Sequence, residues 1–199
     1  FMIGNFSLSP SSGSLQPGQT ATIESDFQSP LPGDFAALLS FKISESNPNT
    51  KADQFQVKLK AKNIIPEIDT KNFNKIFPGL DLCLRFDLEK SNRTAFLEDE
   101  QVLHFQPLLV QQKSSVEIAL INIQPVPAVV DLSIKPKGRT TSSFPFDLSE
   151  KTVTLDPLMT KTIQLGFNPV NSDNFIGFFE GVVRGSNNES KLFKFTVEG

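Results

Sequence analysis

The sequence predicts an all-β fold, arranged as tandem antiparallel β-sandwiches of which the first lacks its opening strands. Three observations carry that expectation. Apolar and polar residues alternate with period two, proline and glycine punctuate the runs, and the chain echoes itself at a spacing of 140 residues.

The alternation runs the length of the chain. In order, Phe55–Ala61, Leu80–Leu88, Val116–Leu120, Val130–Ile134, Ile163–Phe167 and Phe193–Val197 each place apolar side chains at every second position. A strand turns successive side chains to opposite faces, so each run reads as a half-buried strand. One packed and one solvated face imply antiparallel sheets. Between the runs lie Pro10, Gly13, Pro17-Gly18, Pro32-Gly33, Pro66, Pro78-Gly79, Pro125, Pro127, Gly138, Pro157 and Pro169, at the spacing of turns. No window carries a sustained helical pattern; residues 93–101 are expected to form one short helical turn. The Ser/Asn/Pro-rich segment 44–53 and the loops 168–174 and 186–190 are expected hairpin tips.

At a shift of 140, Phe6, Leu8, Ser9, Leu15, Pro17, Thr20, Thr22, Ile23, Phe27 and Phe35 fall on identical residues, from Phe146 to Phe175. That is ten identities over thirty positions, where chance at ordinary composition gives about two. One supersecondary unit therefore occurs twice. The second copy has about seventy residues of β-pattern before it and the first has five. Residues 1–66 therefore read as the C-terminal part of one β-domain. Residues 67–199 read as a whole one, with an N-terminal extension over about 67–98. Pro66, in the join 63–69, cannot donate to a central ladder and suits a strand end.

The pattern of Phe6, Leu8, Ser9, Pro10, Gly13, Leu15, Pro17, Gly18, Phe27 and Pro30 resembles the ASH domain (ASPM, SPD-2, Hydin). This is a branch of the major-sperm-protein-like, PapD-like immunoglobulin superfamily. The second copy keeps Phe146, Leu148, Leu155, Pro157, Phe167 and Pro169. It has Val153 and Leu158 in place of Gly13 and Gly18, so its turn is expected to differ. Residues 102–134 resemble the family's opening, with Phe105, Pro107, Leu109-Val110, a strand ending at Asn122 and a Pro-flanked turn. Within the branch, the wording is most similar to Hydin and related cilia- and flagella-associated proteins. The resemblance implies immunoglobulin-like sandwiches of seven to nine strands. It also implies a non-enzymatic scaffolding role in the central apparatus of the motile axoneme, within the cytoplasm and cytoskeleton. The implied partners are axonemal and cytoskeletal proteins, microtubule-associated ones among them, and neighbouring repeats. An extracellular or periplasmic adhesion or chaperone module is the alternative.

Composition narrows the chemistry. The net charge of −3 gives no general attraction to nucleic acid or to an acidic membrane, and neither is an expected partner. No apolar run approaches the ~20 residues of a membrane span. The start "FMIGNF" has no secretory pattern, and beginning on Phe1 suggests a piece of something longer. With one cysteine, Cys83, no intramolecular disulfide is possible, which favours a reducing compartment. There are 19 Phe but no Tyr or Trp, so the rings belong mainly to cores rather than to sugar- or base-stacking surfaces.

No catalytic, cofactor-binding or metal-ligating residue is expected. His104 is the only histidine and leaves a Ser-His-Asp or Cys-His arrangement without parts. It reads as an ordinary strand residue, and Cys83 as an inert thiol on the polar side of its strand. The acidic Glu98-Asp99-Glu100 and the pair Asp147 and Glu150 lack the Asn/Gly interleaving of calcium loops and read as solvated. The basic run 135–139 reads as a polar turn. Sequons at Asn5, Asn92 and Asn188 matter only in a secreted protein. What remains for function is surface, above all sheet edges that could accept a partner's strand.

Overall fold

The computed structural model describes residues 1–43, 54–88, 93–138, 144–186 and 193–199. Its chain divides into two compact units, Phe1–Ile64 and Ile65–Gly199. Apart from two single-turn helices in the second, their regular elements are all strands, so the all-β reading holds.

The first unit has two small sheets. Strands β1 (Met2–Ile3), β2 (Phe6–Ser9) and β3 (Glu24–Phe27) lie antiparallel in the order β1-β2-β3. A ten-residue hairpin, β4 (Gly33–Lys42) with β5 (Gln54–Asn63), forms the other. The hairpin is held at its neck by Asn63, whose Nδ2 donates to the carbonyls of Ser29 at 2.9 Å and Leu31 at 2.8 Å. The expected tip at 44–53 lies outside the described residues.

The second unit begins with an extension. The Asp69 carboxylate accepts from the backbone N–H groups of Lys71 (3.0 Å) and Asn72 (3.1 Å), turning the chain into the single-turn helix α1 (Phe73–Ile76). Gly79, at φ +77°, ends this segment ahead of β6 (Asp81–Cys83). A second helical turn, α2 (Arg85–Leu88), follows, and then β7 (Ala95–Leu97). Two expectations are corrected here. Leu80–Leu88 is not one alternating strand, and 93–101 holds a strand with a turn behind it rather than a helical turn. The first run breaks after Cys83, where Asp87 N–H bonds back to Leu84 O at 3.0 Å and closes a helical turn; packing explains the second. Leu80 and Leu82 pack on the main core, while Cys83 packs on a separate cluster of Leu88, Ala95, Leu97 and Val102. Both faces of this layer are therefore covered, and Ala95, Phe96 and Leu97 are all fully buried. A strand buried on both sides has no alternation to read. Cys83 thus half faces an apolar cluster rather than the polar side.

The remaining strands are β8 (Val102–His104), β9 (Ser114–Ile121), β10 (Ala128–Pro136), β11 (Phe146–Leu148), β12 (Thr152–Leu155), β13 (Thr160–Phe167), β14 (Ile176–Val183) and β15 (Phe193–Glu198). One sheet runs β12-β10-β14-β15-β8-β7-β6 and the other β11-β13-β9. The pairing is antiparallel except where β8 meets β15 and β6 meets β7. Between the sheets, Val130, Leu132, Val153, Leu155, Phe179, Phe195 and Val197 meet Val116, Ile118, Leu120, Ile163, Leu165 and Phe167 in one core. At ~25 cal/mol per Å² of apolar surface, each fully buried ring or branched side chain here contributes roughly 1.5–3 kcal/mol. Phe77 and Phe96 extend this core over Phe195, with ring centroids 4.4 Å apart and Phe77 edge-on to Phe195 at 5.4 Å.

The 140-residue echo is structural. Phe6 pairs with Phe27 across β2 and β3 as Phe146 pairs with Phe167 across β11 and β13. The turn is shared as well. Gln19 N–H donates to Gln16 O at 2.9 Å, and Met159 N–H donates to Asp156 O at 3.1 Å. Gly18 and Leu158, at its third position, have φ of +79° and +59°. The expected difference in turn geometry is therefore not found: Leu158 adopts the left-handed conformation for which Gly18 is suited. The hairpin recurs too. Phe41 faces Phe55 as Gly181 faces Phe193, so its first arm matches at a shift of 140 and its second at 138.

Candidate functional site

The repeat allows the two units to be compared position by position, and the comparison exposes a surface. Residues 12–15 and 20–23 form no strand, although their counterparts 152–155 and 160–163 do. The reason lies in the ladders. In the second unit β12 pairs with β10, and Thr160–Gln164 of β13 pair with β9 and not with β11. Among the described residues of 1–64, no strand corresponds to β9 or β10 to supply those hydrogen bonds. Only Glu24–Phe27, which also pair with β2, remain in a strand.

Burial follows the same rule. Leu155 and Ile163 are each 1% exposed, whereas Leu15 is 59% and Ile23 41% exposed. Phe193 and Phe195 are buried, whereas Phe55 and Val57 at the matching positions are exposed. Phe27, Phe35, Leu39, Phe41 and Leu59 are half-buried along the same face. Three rings of the repeat stay together in both units: Phe6–Phe27–Phe35 with centroids 5.2 Å apart, and Phe146–Phe167–Phe175 at 4.9 and 6.4 Å. In the second unit Phe105, the residue after β8, packs on this trio, 5.3 Å from Phe167. Among the described residues of 1–64, no side chain takes the place of Phe105 over this face.

The expected bland readings of individual residues can be placed. His104 lies on β8, half-buried, with its Nδ1 3.0 Å from Glu198 Oε1. An ionised carboxylate only accepts, so Nδ1 carries the hydrogen in this contact. The same Oε1 accepts from Arg85 Nη1 at 2.9 Å. Arg85 also grips Glu100 through Nε and Nη2, each at 2.8 Å. The hydrogen bond from His104, with the Arg85 guanidinium beside it, brings the Glu198 carboxyl down to about 2. The hydrogen bonds from Arg85 likewise lower Glu100, and donating to the two acids raises Arg85. These four side chains tie α2, the turn after β7, β8 and β15 together.

Glu150 pairs with Lys161 and Lys135 with Glu180, each at 2.9 Å on the surface. Asn92, Asn188 and Arg139 lie outside the described residues. Asn5 sits in the β1–β2 turn, its Nδ2 donating to Gln28 O at 3.0 Å. Among the described residues no group of three or more His, Cys, Asp and Glu side chains could hold a metal, and no helix is long and apolar enough to cross a membrane. A cavity of about 580 Å³ over β11 and β13 is lined by Lys113, Phe144, Asp147, Gln164 and Asn168.

No family model matches the chain, and no curated protein matches it. Among solved structures it is similar to the ASH/PapD-like domain 7 of human CEP192, at 16% identity over 50% of this chain and 80% of that one, with a TM-score of 0.42. It is similar to the CupB2 chaperone of Pseudomonas aeruginosa at 12% identity, over 49% of this chain and 50% of the chaperone, with a TM-score of 0.33. It is also similar to WR4, an MSP family member of C. elegans, at 4% identity over 50% and 91%, with a TM-score of 0.30. By its own strands and sheets the chain is an all-β sandwich protein, and these similar structures include domains of the ASH/PapD-like and MSP kinds.

Proposed function

We propose that this chain is a non-enzymatic scaffolding segment of a large tandem-repeat protein of the motile cilium. It supports protein–protein contacts in the central apparatus of the axoneme. One observation carries the reading: the same Phe-rich strand–turn–strand unit and hairpin are built twice with one register. The Phe6–Pro30 pattern, with its resemblance to the ASH domains of Hydin-like proteins, supports the ciliary assignment. On this reading the work is geometric. Rigid sandwiches hold axonemal and microtubule-associated partners, and neighbouring repeats, at set spacings. The core Phe, Leu and Ile side chains and the Pro turns are the residues that matter. The test is localisation of the tagged full-length protein in motile ciliated cells. Signal along the central apparatus is expected; a secreted or diffuse signal would overturn the reading.

A further inference from the structure

We propose that the cavity over β11 and β13 is a binding site for an arginine side chain of a partner protein, held by the Asp147 carboxylate. This rests on the reading of the chain as an interaction module, and it names the chemistry of one contact.

Gly166 is the observation that leads there. It sits inside β13, the central strand of its sheet, where a glycine weakens the strand and leaves no side chain to pack. The ordinary structural reasons for a strand glycine do not apply. The ladder with β9 runs unbroken from Thr160 to Phe167, so there is no bulge, and Gly166 is not among the residues of positive φ. The repeat does not demand it either, because Ser7 faces Asp26 at the same place in β2 and β3. What the glycine provides is room. Gly166 faces Asp147 across the ladder, and an added Cβ would run into the Asp147 side chain, with Cγ only 3.1 Å away. The carboxylate therefore leans over β13. There it lines the cavity of about 580 Å³ and forms no hydrogen bond or ion pair with another described residue.

The lining decides the class of ligand. A carboxylate without donors takes a cationic donor, and a guanidinium matches both of its oxygens with a planar pair of N–H groups. Asp147 is the only acid among the described residues of the lining, so a divalent cation would lack ligands. Phe144 and Pro145 offer an apolar wall for the aliphatic stem, and the bare floor at Gly166 leaves space for the flat head. Lys113 also lines the cavity and makes no ion pair with a described residue, so it is a competing cation.

The test is an NMR titration of the isotope-labelled whole chain with the capped tripeptide Ala-Arg-Ala. The control peptide carries citrulline, which keeps the shape of arginine and loses its charge. Saturable shifts are expected at Ser115, Asp147 and Gly166, with about ten-fold weaker binding of the citrulline peptide. Asp147→Asn, an exposed change, should bring the two peptides to equal affinity. So should Gly166→Ala, whose methyl group displaces the carboxylate and meets no other atom within 4 Å. Lys113→Ala should bind the arginine peptide more tightly. Equal binding of both peptides by the unaltered chain, shifts centred away from these residues, or no saturable shift, as for a cavity that holds only water, would each overturn the proposal. Weaker binding in Lys113→Ala would do so too, since it would assign the cavity to an anion. None of these readouts depends on where the full-length protein localises.

Discussion

Leu158 stands in a left-handed backbone conformation that Gly18, its counterpart, takes at no steric cost. A non-glycine residue there loses roughly 1–2 kcal/mol, and glycine returns part of that gain as chain entropy. Leu158 is 65% exposed, so little burial is forfeited. Leu158→Gly should therefore stabilise the second unit by about 0.5–1 kcal/mol, seen as a higher urea midpoint at unchanged slope; a lower midpoint contradicts the argument. Asn122 is the opposite case. Buried to 1% exposure, its Nδ2 donates to Val126 O (2.8 Å) and Asp156 O (3.0 Å), and its Oδ1 accepts from Gln124 N–H (2.9 Å). It joins the β9–β10 turn to the turn at Pro157. Asn122→Ala leaves buried partners unmet and should cost about 2–4 kcal/mol in denaturant unfolding. Glu198 gives a pH dependence. Its carboxyl titrates at about 2 in the folded chain against 4.5 ordinarily. The stability it contributes is therefore present above about 4.5 and lost as pH falls towards 2. Glu198→Gln should flatten the stability curve in that window, read from melting temperatures at successive pH values.

Ladders decide which segments become strands. Residues 20–23 and 160–163 share Thr, Thr and Ile at matching positions, yet only the second set has a β9 to bond with. Amide exchange should therefore be orders of magnitude faster at 20–23 than at 160–163; equal protection would mean that the first set finds partners. The same logic explains where the sequence was readable. The alternation at Val116–Leu120, Val130–Ile134 and Phe193–Val197 marks β9, β10 and β15 because each has one packed and one outer face. It failed at Ala95–Leu97, where packing on both sides removes the polar phase, and it misled at Leu80–Leu88, where the chain turns after Cys83 and leaves Leu84 and Phe86 exposed. The parallel contact of β8 with β15 was equally invisible, because parallel neighbours far apart in sequence carry no turn signal between them.

For the whole molecule, the two units differ in how much of a core each closes. The unit Ile65–Gly199 has both sheets, a large core between them and a smaller separate cluster. Expressed alone, it should melt cooperatively. Residues 1–64 alone keep few fully buried side chains, Phe6 and Leu8 among them. They should bind an apolar dye and melt without a sharp transition. A cooperative melt of a monomeric 1–64 would show that its open face finds cover from within.

The sequence by itself determined the β-class, the turn positions and the twofold use of one unit. Those depend on local alternation, Pro and Gly chemistry and identity at a fixed spacing. It could not show that the face carrying Phe55 and Val57 is open while the one carrying Phe193 and Phe195 is closed, because the two runs have the same pattern. Only the tertiary structure decided that. Burial and strand formation depend on which neighbour lies across the ladder, and among the described residues only the second unit has the neighbours β9 and β10.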